Sequence, residues 1–420
     1  MSENLLPLED AQRILLDHIE PLPLVEVPVW RAVGLPAARA IVTDIDLSPF
    51  ANSAMDGYAV RADDLAAAGP DTPVTLKVVG HEAAGHVFGG TVGVGEAVRI
   101  MTGAPVPAGA DAVVKYEVVT VSGGDGNEGS RATFTAPAAV GENIREAGLE
   151  AHAGDTVIAS GEVLSAAGCG LAASAGAATV AVHAAPRVGI ISLGTELVPA
   201  DTRPGRGQIR DSNSSALMAS ALAAGAEPEF FGIAADDREK IEELVRRAAA
   251  TCDFVVTSGG ASAGDYDYVT ALIAREGEVL FDRIAMKPGK AITFGIFAGK
   301  PFLGLSGNPA AAVVGFEMLA RPAIRKMRGH APAPRPRQVA RLVHDVRKRG
   351  PRRFYNRARV GRDEATGELV VTEARSQNSA LLSTMQQANC LLEIAEDAAG
   401  LSAGDAATIV RLDIEEGTVV

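Results

Sequence analysis

The sequence predicts a multidomain chain that combines α/β and β architecture. It has a central α/β domain on a mostly parallel sheet, a mainly β domain before it, a mixed N-terminal domain and a small C-terminal β-barrel. Three observations carry this prediction. The middle third alternates short apolar runs with helical ones, the pattern of strands joined by crossover helices. Residues 72–136 and 338–420 instead read as successive short strands with turn residues between them. Finally, 420 residues exceed one ordinary core, so two to four domains are expected.

Taken in order, residues 8–19 (LEDAQRILLDHI) have helical apolar spacing with acids in the first turn, and Pro21 and Pro23 end the helix. Residues 24–49 read as strands and turns. The strands VTLKVVG, EAVRIMTG, DAVVKYEVVTV and RATFTA follow, with SGGDGNEGS (122–130) as a mobile hairpin tip. Residues 140–183 are Gly/Ala-rich and carry the polar group Gly141-Glu142-Asn143-Ile144-Arg145. A strand over 187–193 comes next, then a helix over 213–224, capped by Asp211 or Ser212 and stopped by Gly225. The alternation continues with the strand EFFGI, a helix over 238–250, a strand over 254–257 and a helix after Asp265. It ends with the strand PFLGL (301–305) and a helix over 309–328. The Pro-rich linker APAPRPR (331–337) leads into the strands QVARLVHDV, RFYNRARV, ELVVTEA, NCLLEI and ATIVRL. These are the strands of a small β-barrel or sandwich, and the barrel is adopted here.

Composition excludes several classes. Hydrophobic content of 47% and charged content of 22% are globular values. A formal net charge of −13 argues against general binding to nucleic acid or an anionic membrane. The three cysteines, Cys169, Cys252 and Cys390, are odd in number and far apart. No disulfide framework or zinc site is expected, and a reducing cytoplasm fits. The N-terminus lacks a basic region followed by an apolar core, so no signal peptide is expected, and no apolar run has the length of a membrane span.

The densest chemistry lies in residues 253–268, DFVVTSGGASAGDYDY. A buried strand empties into Ser258-Gly259-Gly260, then Ser262, Gly264, Asp265 and Asp267. Adjacent glycines let bare N–H groups approach a ligand, and at the carboxyl end of a parallel strand such a loop suits a phosphate or oxyanion. The following acids call for a cation to complete the site. Lys287-Pro288-Gly289-Lys290 reads as a solvated turn, or as two rigidly held cations for that anion. Of Asp236 and Asp237, one is expected to cap the next helix and the other to face a ligand. Gly307-Asn308-Pro309 opens a helix with Pro at its first position. Segments 50–61 (FANSAMDGYAVR) and 99–105 (RIMTGAP) are turn-forming on composition alone. His81-Glu82-Ala83-Ala84-Gly85-His86 fails the zincin pattern, because its second His comes one place late. There is no GxxxxGK[ST], so the chain is not a P-loop NTPase.

These segments, in this order, resemble the MoeA family of molybdopterin molybdenumtransferases, to which the C-terminal domain of animal gephyrin also belongs. The resemblance rests on NSAMDGYAVR (52–61), RIMTGAPVPAGADAVV (99–114), GENIR (141–145), RVGIISLGTEL (187–197), GQIRDSN (207–213), SGGASAGDYDY (258–268), MKPGKAITFG (286–295) and GNPAAAVV (307–314). It covers essentially the whole chain. It implies four domains: 1–50 with 140–183, mixed and dimerising; 51–139, a mainly β lid; 184–330, the molybdopterin-binding α/β domain; and 331–420, the β-barrel. It implies insertion of molybdate into adenylyl-molybdopterin with release of AMP, with Mg²⁺ as cofactor, in a cytoplasmic homodimer whose sites are shared between subunits. Transient partners would be the molybdopterin adenylyltransferase and proteins that mature molybdoenzymes, with no nucleic acid and no membrane.

By motif match, Asp56, Thr102, Glu150, Asp267, Lys287 and Lys290 are the catalytic candidates, with Asp56 and Thr102 acting from the partner subunit. Glu196, Asp236, Ser258, Gly259, Gly260, Ser262, Arg283 and Pro309 would hold the pterin nucleotide, and Glu196, Asp236 and Asp267 the metal. Ser376 or Ser379 would add a contact from the C-terminal domain. The chain departs from the family pattern at three places. Gly148-Leu149-Glu150 stands for Gly-Glu-Asp, Arg283 stands for a frequent Lys, and Ser306 replaces a Pro, which is expected to loosen that turn and add a donor. The competing readings are a molybdopterin adenylyltransferase-like enzyme, a tungstate-specific paralogue and a non-catalytic scaffold. The additional domains weigh against the adenylyltransferase and the intact acids and lysines against pure scaffolding, while the departures at Glu150 and Ser306 leave the tungstate paralogue open.

Overall fold

The computed structural model describes residues 5–83, 85–260 and 268–418. The chain forms two compact units, Met1–Glu26 with Ala181–Val420, and Val27–Val180. Among the described residues, no helix is long and apolar enough to cross a membrane.

The first unit is built on a six-stranded sheet. Its order is Glu227–Ala234, Arg187–Leu193, Phe254–Ser258, Lys300–Leu305, Ala291–Phe297, Gly277–Arg283. The first four strands pair in parallel, and Ala291–Phe297 runs against them, pairing antiparallel with both its neighbours. Phe254–Ser258 is buried at every position and Arg187–Leu193 at all but its first, as a sheet covered on both faces requires. Alternation along these strands splits the core in two. Val188, Ile190, Phe254 and Val256 pack with helices Leu8–Asp17, Asn213–Ala223 and Pro309–Gly315 on one face. Ile191 and Val255 pack with helices Arg238–Thr251 and Tyr268–Glu276 on the other. The single helix expected over 309–328 widens into a π-turn at Phe316–Ala320. Pro322 follows at once; it lacks an N–H and its ring crowds the carbonyl four residues back, so the backbone opens there.

The C-terminal strands settle the choice between barrel and sandwich. Arg353–Arg362, Leu369–Glu373, Arg337–Leu342, Ala406–Arg411 and Cys390–Ile394 pair in that order, and Arg353–Arg362 also pairs with Cys390–Ile394, closing a five-stranded barrel. The short strand Met286–Lys287 leaves the α/β region and pairs in parallel with Arg353–Phe354. This carries the Lys-Pro-Gly-Lys turn to the barrel wall.

In the second unit, six strands pair in the order Ala112–Lys115, Gly57–Val60, Glu96–Ile100, Val74–Glu82, Arg131–Phe134, Thr120–Ser122. The stretch 140–183 yields two short strands, Ile144–Arg145 and Thr156–Ile158, a helix Ala166–Ser174 and a strand Thr179–His183. The hairpin tip at 122–130 is held rather than free. Tyr58 donates to the Gly126 carbonyl at 3.0 Å, and Gly126 N–H donates to the buried Ser130 Oγ at 3.0 Å.

One buried ionic cluster ties the C-terminal tail to the helical face of the first unit. Arg321 Nε donates to Glu416 at 2.6 Å, Arg325 lies 3.2 Å from the same carboxylate, and Arg335 pairs with Glu317. Burial pushes the Glu416 carboxyl up, but the hydrogen bond and charge of Arg321, with Arg335, outweigh it and leave it below its ordinary value. Glu416→Ala leaves the buried Arg325 without its acid and Arg321 with only the more distant Glu317, and is expected to cost on the order of 3 kcal/mol, measured by urea unfolding. Because the folded value is depressed, this stabilisation is complete above the ordinary value of 4.5 and is lost as pH falls through the folded one. In the Glu416→Ala variant, the acid-side loss of stability should be correspondingly smaller.

Candidate functional site

The site of the first unit lies where the parallel strands end, as expected for an open α/β sheet. The strand Arg187–Leu193 runs into Gly194-Thr195-Glu196, and the strand Phe254–Ser258 into Gly259-Gly260. Both glycines have left-handed backbone, φ +90° and +70°. A Cβ on Gly259 would stand 2.4 Å from the Leu193 carbonyl, so only glycine lets the two loops touch. A Cβ on Gly194 would stand 2.6 Å from the Glu196 carboxylate, which places that carboxylate directly against the bare backbone. Ser258 itself is buried, and its Oγ accepts from Asn213 Nδ2 at 2.6 Å. The same amide nitrogen donates to the Gly307 carbonyl at 2.9 Å, joining the Gly-Gly loop to the Gly307-Asn308-Pro309 turn.

A cleft of about 530 Å³ opens between these loops, lined by Glu196, Asp236, Gly259, Gly260, Ser306 and Pro309, among others. The Asp236/Asp237 pair divides as the sequence suggests. Asp237 caps the helix Arg238–Thr251 by accepting from Glu239 N at 3.0 Å and Lys240 N at 3.3 Å. Asp236 faces the cleft, where Thr195 Oγ1 donates to its carboxylate at 2.8 Å and accepts its own N–H at 3.1 Å. The cap of the helix Asn213–Ala223 is likewise assigned: Asp211 Oδ1 accepts from Ser214 N at 3.0 Å, and Ser212 makes no side-chain cap.

A second cleft, about 570 Å³, meets the first at Ala291, Ser306 and Asn308. Lys287, Lys290, Arg347, Arg352 and Arg375 line it, against one acid, Glu373. Lys287 Nζ lies over the Phe354 ring, 4.4 Å from its centroid. Two barrel residues shape its floor. Arg357 is buried and donates to Thr384 Oγ1 and to the Asn378 carbonyl, while Gln377 bonds both the N–H and the C=O of Arg357. Ala310 N–H donates to the Ser379 carbonyl at 2.9 Å, so this barrel loop seats on the helix that Pro309 opens. Ser306 does not loosen the turn: its Oγ accepts from Asn308 N at 3.3 Å and closes it.

Other candidates are placed elsewhere. Arg283 ends the edge strand Gly277–Arg283, its carbonyl accepts from Leu6 N–H, and it lines neither cleft. Ser262 and Asp267 lie outside the described residues. In the second unit, Asp56 and Thr102 form one group. Thr102 N–H and Oγ1–H both donate to Asp56 Oδ1 at 2.7 Å. These two bonds, with the Arg99 charge, hold the Asp56 carboxyl below its ordinary value. Glu150 lines a different recess of that unit with Asn52, Arg145 and Glu146.

Arg347, Arg352, Arg375 and Asn213 were not singled out from the sequence. Arg347 and Arg352 sit in the basic run RKRGPRR (347–353) of an acidic chain and Asn213 ends GQIRDSN, whereas Arg375 carries no such local signal. Among the described residues, no three His, Cys, Asp or Glu side chains gather to hold a metal ion. Glu196 and Asp236 are nevertheless two hard oxygen ligands on one cleft, a donor set suited to Mg²⁺.

Thr102→Val removes the hydroxyl bond to Asp56 and keeps the backbone one. The Asp56 carboxyl should then titrate at higher pH than in the wild type, read from its side-chain carbon resonance.

Comparison with known proteins agrees with this layout. Residues 6–176 match the MoeA N-terminal region (domain I and II), 189–326 a probable molybdopterin binding domain, and 339–412 the MoeA C-terminal region (domain IV). A molybdopterin molybdenumtransferase of Staphylococcus aureus (strain COL) is 33% identical over 410 residues, 97% of this chain and 96% of that protein. Molybdopterin molybdenumtransferase 2 of Mycobacterium tuberculosis (strain ATCC 25618 / H37Rv) is 36% identical over 403 residues, 94% and 97% of the two chains. The crystal structure of the molybdopterin biosynthesis moea protein from Pyrococcus horikosii superposes with a TM-score of 0.81 at 32% identity, covering 97% of this chain and 99% of that one. With three family regions in sequence and relatives of this similarity along nearly its whole length, the chain belongs to the MoeA family.

Proposed function

We propose that this protein is a molybdopterin molybdenumtransferase that inserts molybdate into adenylyl-molybdopterin and releases AMP. The observation that carries the reading is the meeting of two unlike clefts. One is lined by Glu196, Asp236 and bare Gly-Gly backbone, and the other by Lys287, Lys290 and four arginines, with Ser306 and Asn308 at the junction. Adenylyl-molybdopterin contains a pyrophosphate link, and molybdate is an oxyanion. Cleaving the one and admitting the other requires cations and aligned N–H donors around the oxygens. The curated relatives carry the name of this transferase.

In this reading the backbone of Gly259 and Gly260 lies along the phosphates, and Lys287 and Lys290 neutralise charge that builds on the bridging oxygen as it leaves. The arginines of the barrel receive the incoming oxyanion. Mg²⁺ would be held by Glu196 and Asp236, directly or through water, and would supply charge neutralisation on the phosphate oxygens when bound. Asp56 would act from a partner subunit, kept ionised by its two bonds from Thr102. A homodimer is supported by apolar side chains that the second unit leaves in water, Trp30 at 66% exposure and Leu149 at 71%, with Val33, Val42 and Phe50. A cytoplasmic location is supported by three buried cysteines, none of them in a disulfide. Passing contact with the adenylyltransferase that supplies the substrate, and with the proteins that take the product, follows from the same reading.

The test is to supply adenylyl-molybdopterin with molybdate, with tungstate or with neither, and to measure AMP. Release that requires molybdate supports the proposal. Release with tungstate alone makes the protein a tungsten enzyme, and absence of release with either oxyanion removes the transferase reading. Asp236→Asn should raise the Mg²⁺ concentration for half-maximal AMP release roughly tenfold or more, on the scale of lost charge-assisted contacts. At Mg²⁺ too low to support Asp236→Asn alone, mixed subunits carrying Asp56→Asn and Asp236→Asn separately should recover part of the lost activity. No recovery after demonstrated subunit exchange would count against shared sites.

A further inference from the structure

The cation-lined cleft holds one group of opposite sign. Glu373 ends the barrel strand Leu369–Glu373 and lines the cleft with Lys287, Lys290, Arg347, Arg352, Arg357 and Arg375. Its hydrogen bond comes from a neutral group. Asn356, 4% exposed on the adjoining strand Arg353–Arg362, donates from Nδ2 to Glu373 Oε1 at 2.5 Å. Arg357 gives its own donors to Thr384 Oγ1 and the Asn378 carbonyl. Burial pushes the Glu373 carboxyl up, and the Asn356 bond and the charges of His344 and Arg357 offset this only in part. An acid that served only to neutralise the cleft would be expected to pair with one of its cations. An acid bonded to an amide, on the wall of the space those cations line, meets whatever anion enters.

We propose that entry of an oxyanion into this cleft takes up one proton from solvent, held on Glu373, whose O–H then donates to an oxygen of the anion. The inference rests on the proposed reading that the arginines of the barrel receive the incoming oxyanion. Molybdate at neutral pH is a dianion that carries hydrogen-bond acceptors and no donor. Against it an ionised carboxylate is purely repulsive, and a negative charge nearby favours the protonated form of a carboxyl group. Once protonated, the carboxyl becomes a further donor to the anion. Asn356 suits both states, because its N–H keeps Oε1 as an acceptor and leaves Oε2 to carry the proton. The proton returns to solvent when the oxyanion leaves, and Glu373 thereby links oxyanion affinity to pH.

The test is calorimetric binding of molybdate and of sulfate to the full-length protein, from about pH 6.5 to about pH 8.5, in buffers of differing ionisation enthalpy. Sulfate is a dianion throughout, so a proton taken up with it is carried by the protein. Wild type should take up about one proton with either anion, and its affinity should rise about tenfold for each pH unit lowered, the slope of one bound proton. Glu373→Gln keeps the oxygen that Asn356 bonds and has no proton to gain. It should lose the uptake, bind with nearly constant affinity, and exceed wild type at the alkaline end by roughly tenfold or more. Absence of uptake in wild type would overturn the inference. Uptake with molybdate alone would place the proton on the ligand, and uptake retained in Glu373→Gln would place it on His344 or a cleft lysine; either overturns it. So would failure of both anions to bind wild type and Glu373→Gln. AMP release that requires molybdate, without proton uptake, would remove this inference and keep the transferase reading. Proton-linked binding without AMP release from adenylyl-molybdopterin would do the reverse.

Discussion

One buried amide holds the candidate site together. Asn213 is the first residue of its helix, and its Nδ2 reaches Ser258 Oγ at 2.6 Å and the Gly307 carbonyl at 2.9 Å. Two loops from separate parallel strands are thereby fixed to the start of a third element. Each loop is otherwise a run of small residues with little side chain to pack. Both donor bonds of the amide are made, whereas its Oδ1 is buried without a hydrogen-bond partner among the described residues, so the two Nδ2 bonds alone fix the arrangement. The acid-lined cleft is the space that this arrangement leaves, with Gly259 pressed against the Leu193 carbonyl as its limit of approach.

The second constraint is the docking of the barrel on the α/β region. The Met286–Lys287 strand adds to the barrel through Arg353–Phe354, and Ser379 accepts from the helix that begins at Pro309. These contacts bring Arg347, Arg352 and Arg375 opposite Lys287 and Lys290. With Arg357 at the floor, six cations line this one cleft against a single acid, Glu373, and their mutual repulsion favours an anion among them. In a chain of net charge −13, such local concentration of positive charge points to a specific anionic ligand rather than general attraction.

The acids separate by task in the same way. Asp237 and Asp211 each lend an oxygen to a helix N-terminus, while Asp236 is turned into the cleft and steadied by Thr195. Asp56 is held by both donors of Thr102. In each case a neighbouring N–H or hydroxyl decides whether the carboxylate serves the backbone or remains available to a ligand.

Much of this was legible in the residues themselves. Unbroken apolar runs such as Phe254-Val255-Val256 already require a sheet covered on both faces, and paired glycines after a strand require backbone exposed to a ligand. The Asp-Asp pair before a helix already implied one cap and one free acid. These are local properties, set by side-chain shape, backbone freedom and hydrogen bonds over a few positions. The basic wall of Arg347, Arg352 and Arg375, the bracket made by Asn213, and the closed barrel depend on contacts between residues tens of positions apart or more. The basic run and the apparent lone Asn were visible, but their meaning was not, because register and docking alone bring them together. The spacing of a sequence reports its local geometry. Which distant loops share a cleft is decided by the packing of the sheet, helices and barrel against one another, and that only the tertiary structure supplies.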